Sequence, residues 1–382
     1  MVAHAAMRRA SLSILRKSVA APNALDACTR SAPKRAAVRQ PLPGILAGRR
    51  RLIQPHHARP PNIIDQLTGR PVRATFDGLG AELPNVDVSR AFSSDELETL
   101  KQACDDAGGI LVLPNQRPTM TLHDHVRFAR QLAASDGTTI EPHAVAAGHA
   151  DAPQVLEIVR DRGAKVIFGE NWHSDNSFLP RSSSYSILRG VAVPRVGVND
   201  TLFSSTEAAF DALSSSMQRQ LLELNAYHSA NRAYGRGHSG NSRAAMEDTS
   251  SMALNDAAPV LATDVLQPVV TVHPRTGRRN LFVSPTFTSR IEGMRADESA
   301  ALLAYLYAWI ARPEFCTRVS WRPHQVVLWD NRSTSHKGLA DEVGERRVVQ
   351  RVSIRGTAAP VNHRGESFAL THQVQASAAG LF

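Results

Sequence analysis
Asn171-Trp172-His173-Ser174-Asp175-Asn176-Ser177-Phe178 sets a His-x-Asp pair between aromatic residues, in a stretch that reads as strand. Side chains on an extended chain alternate with a period of two, so His173 and Asp175 face the same way. An imidazole beside a carboxylate suits a borderline metal such as Fe(II). Two ligands leave a site unfinished, and the best third candidate lies far downstream. In Val326-Val327-Leu328-Trp329-Asp330-Asn331-Arg332-Ser333-Thr334-Ser335-His336, a hydrophobic strand runs into a turn that delivers His336. Two His and one carboxylate form the facial triad of non-haem iron sites, which keeps coordination positions open. Asp175 and His336 stand 161 positions apart. A strand barrel joins such distant segments, because inward residues of different strands share one cavity. The expected fold is mainly β with flanking helices, an α+β chain closed into a barrel.

Working outward, short strands recur with a few helices among them. Ser93 and Glu96 make a capping box for a helix through Leu97, Leu100 and Ala103, stopped by Gly108-Gly109. Ile110 to Leu113 reads as a buried strand, and Leu122 to Ala134 as a helix whose His123 and His125 are read as surface residues. Val155 to Val159 and Tyr185 to Val193 read as strands, as does the chain after the turn at Gly197 to Asp200. Val269 to Val272 and Leu281 to Val283 form a hairpin, and Asp297 to Ile310 an amphipathic helix. Residues 229–256, rich in Gly, Ser, Asn and Arg, are set apart as a long connection, a functional lid or a disordered insert. The folded domain is placed at 70–357, with 358–382 as a tail.

Charge separates the start of the chain from the rest. Of 44 Lys and Arg and 35 acids, residues 1–60 hold 12 bases and the single acid Asp26, leaving 32 bases against 34 acids elsewhere. The formal charge of +9 therefore belongs to the leader, and the body offers no basic stripe for nucleic acid. The leader, drawn as 1–69, is rich in Arg, Ala and Ser, the composition of a mitochondrial or plastid transit peptide. A disordered basic extension, or a start codon assigned too early, fits the same composition. Without a transit function the protein is placed in the cytoplasm. No apolar run approaches the ~20 residues of a membrane span. Cys28, Cys104 and Cys316 are too few and too scattered for a disulfide framework or a zinc-thiolate site, consistent with a reducing compartment.

Arg347, Val349, Arg351 and Ser353 share one face of the last strand, and Val348, Val352 and Ile354 the other. If the apolar face packs on outer helices, both arginines point into the barrel. Buried cations need anionic partners, and a small-molecule carboxylate matches the planar fork of Arg. The bland alternative pairs both with acids on an exposed sheet face. Their position after His336 favours the inward arrangement.

Trp172 to Phe178, Asn199-Asp200-Thr201-Leu202-Phe203, Trp329 to His336, and Arg346-Arg347 with Arg351 together resemble the taurine and phenoxyacetate-herbicide dioxygenases. The likeness spans roughly Arg73 to Gly356, and the ordered set of motifs is far more specific than a His-x-Asp pair. It implies a double-stranded β-helix of jelly-roll, cupin-like form that uses Fe(II), 2-oxoglutarate and O2, with ascorbate as supporting reductant. By position, His173, Asp175 and His336 are the implied metal ligands. Thr201 and Arg347 are implied to hold the distal carboxylate of 2-oxoglutarate, and Arg351 to meet an anionic group on the substrate. The implied reaction decarboxylates 2-oxoglutarate to succinate and CO2 while hydroxylating a C–H bond. Related halogenases lack the carboxylate, so Asp175 argues for hydroxylation.

Some members of the family carry a substrate-touching His-Pro pair upstream of the metal segment. The nearest match is Glu141-Pro142, with His143 following, which makes Glu141 the candidate substrate contact. Gly169 and Glu170 also differ from the taurine enzyme, so taurine itself is not the expected substrate, although a small sulfonate or carboxylate is. The partners expected are this small anion, no nucleic acid and no membrane, with a homo-oligomer left open. Two other classes compete. A zinc hydrolase on the same triad leaves the arginines unexplained and lacks an evident general base. A non-catalytic barrel binding an organic acid predicts lost ligands. Trp172, Phe178, Phe203 and Trp329 are read as core, Asp330 and Asn331 as fixing the turn before His336, and His143, His149, His273 and His324 as surface or turn residues.

Overall fold
The computed structural model describes residues 73–74, 79–162, 168–193, 196–235, 254–255, 258–339 and 344–369. Eight strands frame the site: β1 (Ile110–Leu113), β2 (Val155–Arg160), β3 (Ser183–Ala192), β4 (Thr201–Ser205), β5 (Cys316–Val319), β6 (Val326–Asp330), β7 (Thr334–Gly338) and β8 (Arg347–Arg355). Antiparallel pairing gives the order β1-β6-β3-β8 in the larger sheet, with β2 and the short strand Ile140–Glu141 on the outer edge of β8. The smaller sheet runs β5-β4-β7, and His173 joins it through two backbone hydrogen bonds to His336 of 3.0 and 2.8 Å.

Alternation along the strands sorts the core into layers. Ile110, Val112, Val327, Trp329 and Val349 point inward and meet Phe203, Val319 and Trp321. Leu111, Leu113, Val326, Leu328, Val352 and Ile354 point outward under helices α1 (Ser94–Asp106) and α2 (Leu122–Ser135). Strands buried on both faces read as unbroken apolar runs, which is why β1 and β6 show no polar alternation. Each fully buried Leu or Phe in this layer contributes about 1.5–3 kcal/mol. With Val352 and Ile354 taken by the outer layer, Arg347 and Arg351 are left facing the interior, the arrangement the sequence favours over an exposed sheet face.

Both helices start on reciprocal caps, Ser93 with Glu96 and Thr121 with Asp124. A third helix, α3 (Ala296–Ile310), packs with the hairpin of Val270–Val272 and Arg279–Leu281 in a separate cluster containing Trp172.

Several expectations change. The chain at His173 is a single bridge followed by a turn over 175–178, with Asn176 in the left-handed region at φ 55°, not a regular strand. His125 is fully buried, its Nε2 lying 3.2 Å from the Ile187 carbonyl, because it shares the apolar face with Phe128, Ala129 and Leu132. His143 and His273 are buried as well. The segment set apart as an insert begins in strand Asn225–Ser229 and helix Asn231–Tyr234, with Tyr234 buried; 236–253 lie outside the described residues. Of the presumed tail, 358–369 lie against the body, where the Val272 N–H donates to Val361 and Ala359 and Ala369 are buried. The leader 1–69 and residues 370–382 lie outside the described residues.

Candidate active site
His173, Asp175 and His336 converge. His173 Nε2 lies 3.7 Å from Asp175 Oδ1 and His336 Nε2 lies 4.0 Å from Asp175 Oδ2, with the two rings 4.2 Å apart. The cross-strand bridge brings the histidines together, and the turn after His173 returns Asp175 to them. Burial, first of all, pushes both imidazoles below their ordinary pKa and keeps them neutral, the form that binds metal. His173 Nδ1–H donates to the Asn171 carbonyl at 2.8 Å, which leaves Nε2 bare toward the cluster. Burial alone would raise the Asp175 carboxyl. Arg351, His336 and His173 instead hold it well below the usual carboxylate range. Two neutral imidazoles and an ionised carboxylate in a dry pocket fit Fe(II).

The surrounding side chains fix these three. Ser186 Oγ donates to Asp175 Oδ2 at 2.6 Å, and the Asp175 N–H donates to Asn331 Oδ1 at 3.1 Å. Asn331 also accepts from Trp329 Nε1 and donates to Ser186 Oγ, both at 3.0 Å. Its role therefore exceeds the turn expected of it. Trp329 and Phe203 pack on the His336 ring and Phe287 on His173, so the aromatic core residues are also walls of the site. Ser186 was legible in outline, since Ser184 and Ser186 alternate with Tyr185 and Ile187 on a buried strand.

On one side of the cluster lie Thr201 and Arg347. The Arg347 guanidinium lies over the Trp321 ring at 5.6 Å, and Trp321 Nε1 donates to Thr201 Oγ1 at 3.0 Å. Arg347 forms no ion pair among the described residues. The adjacent Asp200 is already engaged by Arg318 Nε at 2.6 Å and Ser320 Oγ at 2.8 Å.

Four residues along β8, about 13 Å at strand spacing, Arg351 donates through Nη1 to Asp175 Oδ1, and its Nε is buried with no hydrogen-bond partner. Facing it is His143, which the sequence reads as a surface or turn residue and which is buried. His143 Nδ1 accepts the N–H groups of Val145 at 3.2 Å and Ala146 at 2.9 Å, so the proton of the neutral ring sits on Nε2. Burial, with Arg351 nearby, pushes this histidine down to about 3. Phe168 and Tyr234 pack against it, and Phe178 and Phe287 complete an aromatic wall. Tyr234 had no local signal, since it comes from the segment read as a connection.

Glu141 is not brought to this group. It sits across from Ser353, where its nearest cation is Arg355 at 3.8 Å, and burial pushes it up to about 7. A second set of ligand-type residues, Asp105, His273 and Asp330, is closed by arginines. Arg332 grips Asp330, His273 lies 3.0 Å from it, and Arg275 holds Asp105 at 2.7 Å, which makes this a charge-balanced brace under the turn before His336.

Residues 68–353 match the model of a family described as taurine catabolism dioxygenase TauD, TfdA family. The chain is 30% identical over 285 residues to the alpha-ketoglutarate-dependent 2,4-dichlorophenoxyacetate dioxygenase of Cupriavidus pinatubonensis, covering 72% of this chain and 93% of the relative. It is 28% identical over 280 residues to pentalenolactone F synthase of Streptomyces arenae, covering 72% and 91%. The crystal structure of a taurine dioxygenase from Burkholderia xenovorans superposes with a TM-score of 0.60 at 27% identity, over 77% of this chain and 93% of that one.

Proposed function
The chain belongs to the taurine catabolism dioxygenase TauD, TfdA family, and on that premise we propose that it hydroxylates a small organic acid with Fe(II), 2-oxoglutarate and O2. The observation that carries this reading is the neutral His173 and His336 beside an ionised Asp175, with two inward arginines on β8. We read the two sheets as a double-stranded β-helix, the architecture that puts those arginines and the three ligands in one cavity.

Bound iron would supply the redox chemistry toward O2 that no side chain offers. His173 and His336 would hold it through Nε2, with Asp175 as the third ligand. Ser186 and Asn331 keep the carboxylate aimed. Thr201 and Arg347 hold the distal carboxylate of 2-oxoglutarate, and the Trp321 plane beneath Arg347 limits where the guanidinium can lie. Arg351 spends one nitrogen on Asp175 and keeps its Nε for an acid group on the substrate. The His143 Nε2–H is a second donor facing the same place, in the position that sequence comparison gave to Glu141. Phe168, Phe178, Tyr234 and Phe287 exclude water and suit an apolar body. A carboxylate, sulfonate or sulfate ester on an alkyl or aryl frame meets these demands; a zwitterion as small as taurine leaves the aromatic wall unfilled.

The test is succinate release from 2-oxoglutarate by the purified protein with Fe(II), ascorbate and O2. Phenoxyacetates, alkyl sulfates and alkyl sulfonates are added in turn, with His173→Ala as control. Stimulation by one of these classes, absent from the control, is expected. A folded, iron-loaded protein that neither binds nor consumes 2-oxoglutarate would sink the proposal.

A further inference from the structure
We infer that the hairpin, the turn before His336 and the segment after β8 enclose a second binding site, for a small carboxylic acid with a compact apolar body. A cavity of about 110 Å³ lies between these three parts of the chain. Thr271, Val272 and Phe282 line it from the hairpin side, Arg332 from the turn, and Ala359 and Pro360 from the segment after β8. Two backbone hydrogen bonds hold that segment over the cavity. The Gly356 N–H donates to the Ser182 carbonyl at 3.0 Å, and the Val272 N–H to the Val361 carbonyl at 2.9 Å. Thr357 and Ala358 are exposed, so the cavity opens to solvent between them. It shares no lining residue with the cluster of His173, Asp175 and His336, nor with Arg347 and Arg351.

The lining combines spare donors with an apolar shell. Arg332 donates through Nε and Nη2 to Asp330 at 2.8 and 2.5 Å, and its guanidinium lies over the Tyr185 ring at 4.6 Å. Asp330 thus answers the charge of Arg332, while Nη1 keeps no hydrogen-bond partner among the described residues. Ser182 and Thr271, which also line the cavity, are 7% and 5% exposed, and their hydroxyls have no partner among the described residues either. Buried donors cost free energy until an acceptor meets them. Water at these donors would leave the side formed by Val272, Phe282 and Pro360 poorly filled, since a buried water needs two to four polar partners. A carboxylate on a short alkyl body meets both sides, its two oxygens matching a guanidinium edge and a hydroxyl. An engineered cavity of ~150 Å³ takes benzene, so about 110 Å³ suits a body of three or four carbons. Arg275 and Arg332 already balance Asp105 and Asp330. The acid is therefore met by spare donors and not by a spare charge, which sets its dissociation constant on the order of 1 mM.

The experiment is a ligand-observed NMR titration of the full-length protein with isobutyrate, and with isobutyramide as its uncharged counterpart. Isobutyrate is small enough to reach the arginines of the metal site, so a double variant carrying Arg347→Gln and Arg351→Gln is titrated beside wild type. Both proteins should bind isobutyrate with affinities within about twofold of each other, because the two sites share no residue. Ala358→Phe, which puts a ring across the exposed mouth, should weaken isobutyrate about tenfold or more. Thr271→Val keeps the shape of the side chain and removes its hydroxyl; it should weaken binding about three- to tenfold, the scale of one hydrogen bond, and it serves alone if the Phe variant does not fold. Isobutyramide should bind wild type about tenfold more weakly than the acid. Binding that survives Ala358→Phe and Thr271→Val but is lost in the double arginine variant would place the acid at the metal site. No binding to folded wild type would leave water as the occupant of the cavity, and equal binding of isobutyramide would remove the carboxylate preference. Each of these three results overturns the inference.

Discussion

Asn331 shows how much of the metal centre depends on a residue that ligates nothing. One amide side chain ties Trp329 Nε1, the Asp175 N–H and Ser186 Oγ together, and Ser186 in turn holds the Asp175 carboxylate. Asn331→Ala leaves two buried N–H donors unanswered, a loss of about 2–3 kcal/mol of stability. It should also weaken Fe(II) or Mn(II) binding roughly 10- to 100-fold, as removal of a ligand-orienting partner does. Metal titration beside thermal melting separates the two effects; full metal affinity in a destabilised variant would reduce Asn331 to a packing residue. Glu141 makes the opposite case, a charged residue whose burial is a liability. Its carboxyl titrates near 7 in the folded protein against 4.5 in the open chain. Between those values the folded state binds more protons, so stability falls as pH rises from about 4.5 to about 7. Glu141→Gln should therefore match wild type near pH 4.5 and exceed it above pH 7. The gain is on the order of 2 kcal/mol, discounted because the side chain keeps some exposure and Arg355 lies near. Melting curves across that window check it, and parallel curves at every pH would show the carboxyl to be ordinary.

Among elements, the approach of β1 to the turn between β6 and β7 matters most for His336. The Gly109 carbonyl accepts the Asp330 N–H at 2.8 Å. At φ 94° Gly109 leaves no room for a side chain, since a methyl there would press on Ser333 Oγ and come within 3.0 Å of Thr334 Cγ2. Gly109→Ala should cost about 2–4 kcal/mol through left-handed strain and overpacking together, and should weaken metal binding by displacing β7. Gly137→Ala, at φ 67° with open space around it, carries the strain alone, about 1–2 kcal/mol, and should leave metal binding untouched. A Gly109→Ala variant with wild-type metal affinity would disconnect β1 from the site. What the sequence disclosed at this scale was whatever is written locally: both caps, the apolar runs of β1 and β6, and the split faces of β8. What it hid depends on register. Nothing near Arg160 announces that Arg347 lies opposite, and nothing near Ser186 announces Asp175. His125, spaced three, four and seven positions before Phe128, Ala129 and Leu132, carries the core pattern in its spacing, while its residue type, so often exposed, points the other way.

For the molecule as a whole, the two layers of the core divide the labour between stability and chemistry. The outer layer is mainly apolar, with His125 and Lys101 buried at its helices, whereas the inner one encloses three arginines, three histidines and an aspartate beside its aromatic residues. Arg351 is answered by Asp175 within the chain. Arg347 forms no ion pair among the described residues, and Asp200, the acid whose charge reaches it, is bonded to Arg318 and Ser320. The fold therefore keeps a charge only partly compensated at one end of its cavity, and a ligand that neutralises it stabilises the whole protein by linkage. At 2-oxoglutarate concentrations 100-fold above its dissociation constant the gain is about 2.7 kcal/mol, or several degrees in melting temperature for a domain this large. Succinate keeps the distal carboxylate, so it should give a smaller rise that does not require metal. Arg347→Gln should melt at or above the temperature of wild type without ligand, because a buried charge has gone, and should lose most of the rise with either acid. The decisive comparison is thus between ligand-free and ligand-saturated melts of the two proteins. An Arg347→Gln variant destabilised without ligand yet shifted normally by 2-oxoglutarate would place the anion elsewhere in the cavity and make Arg347 part of the frame.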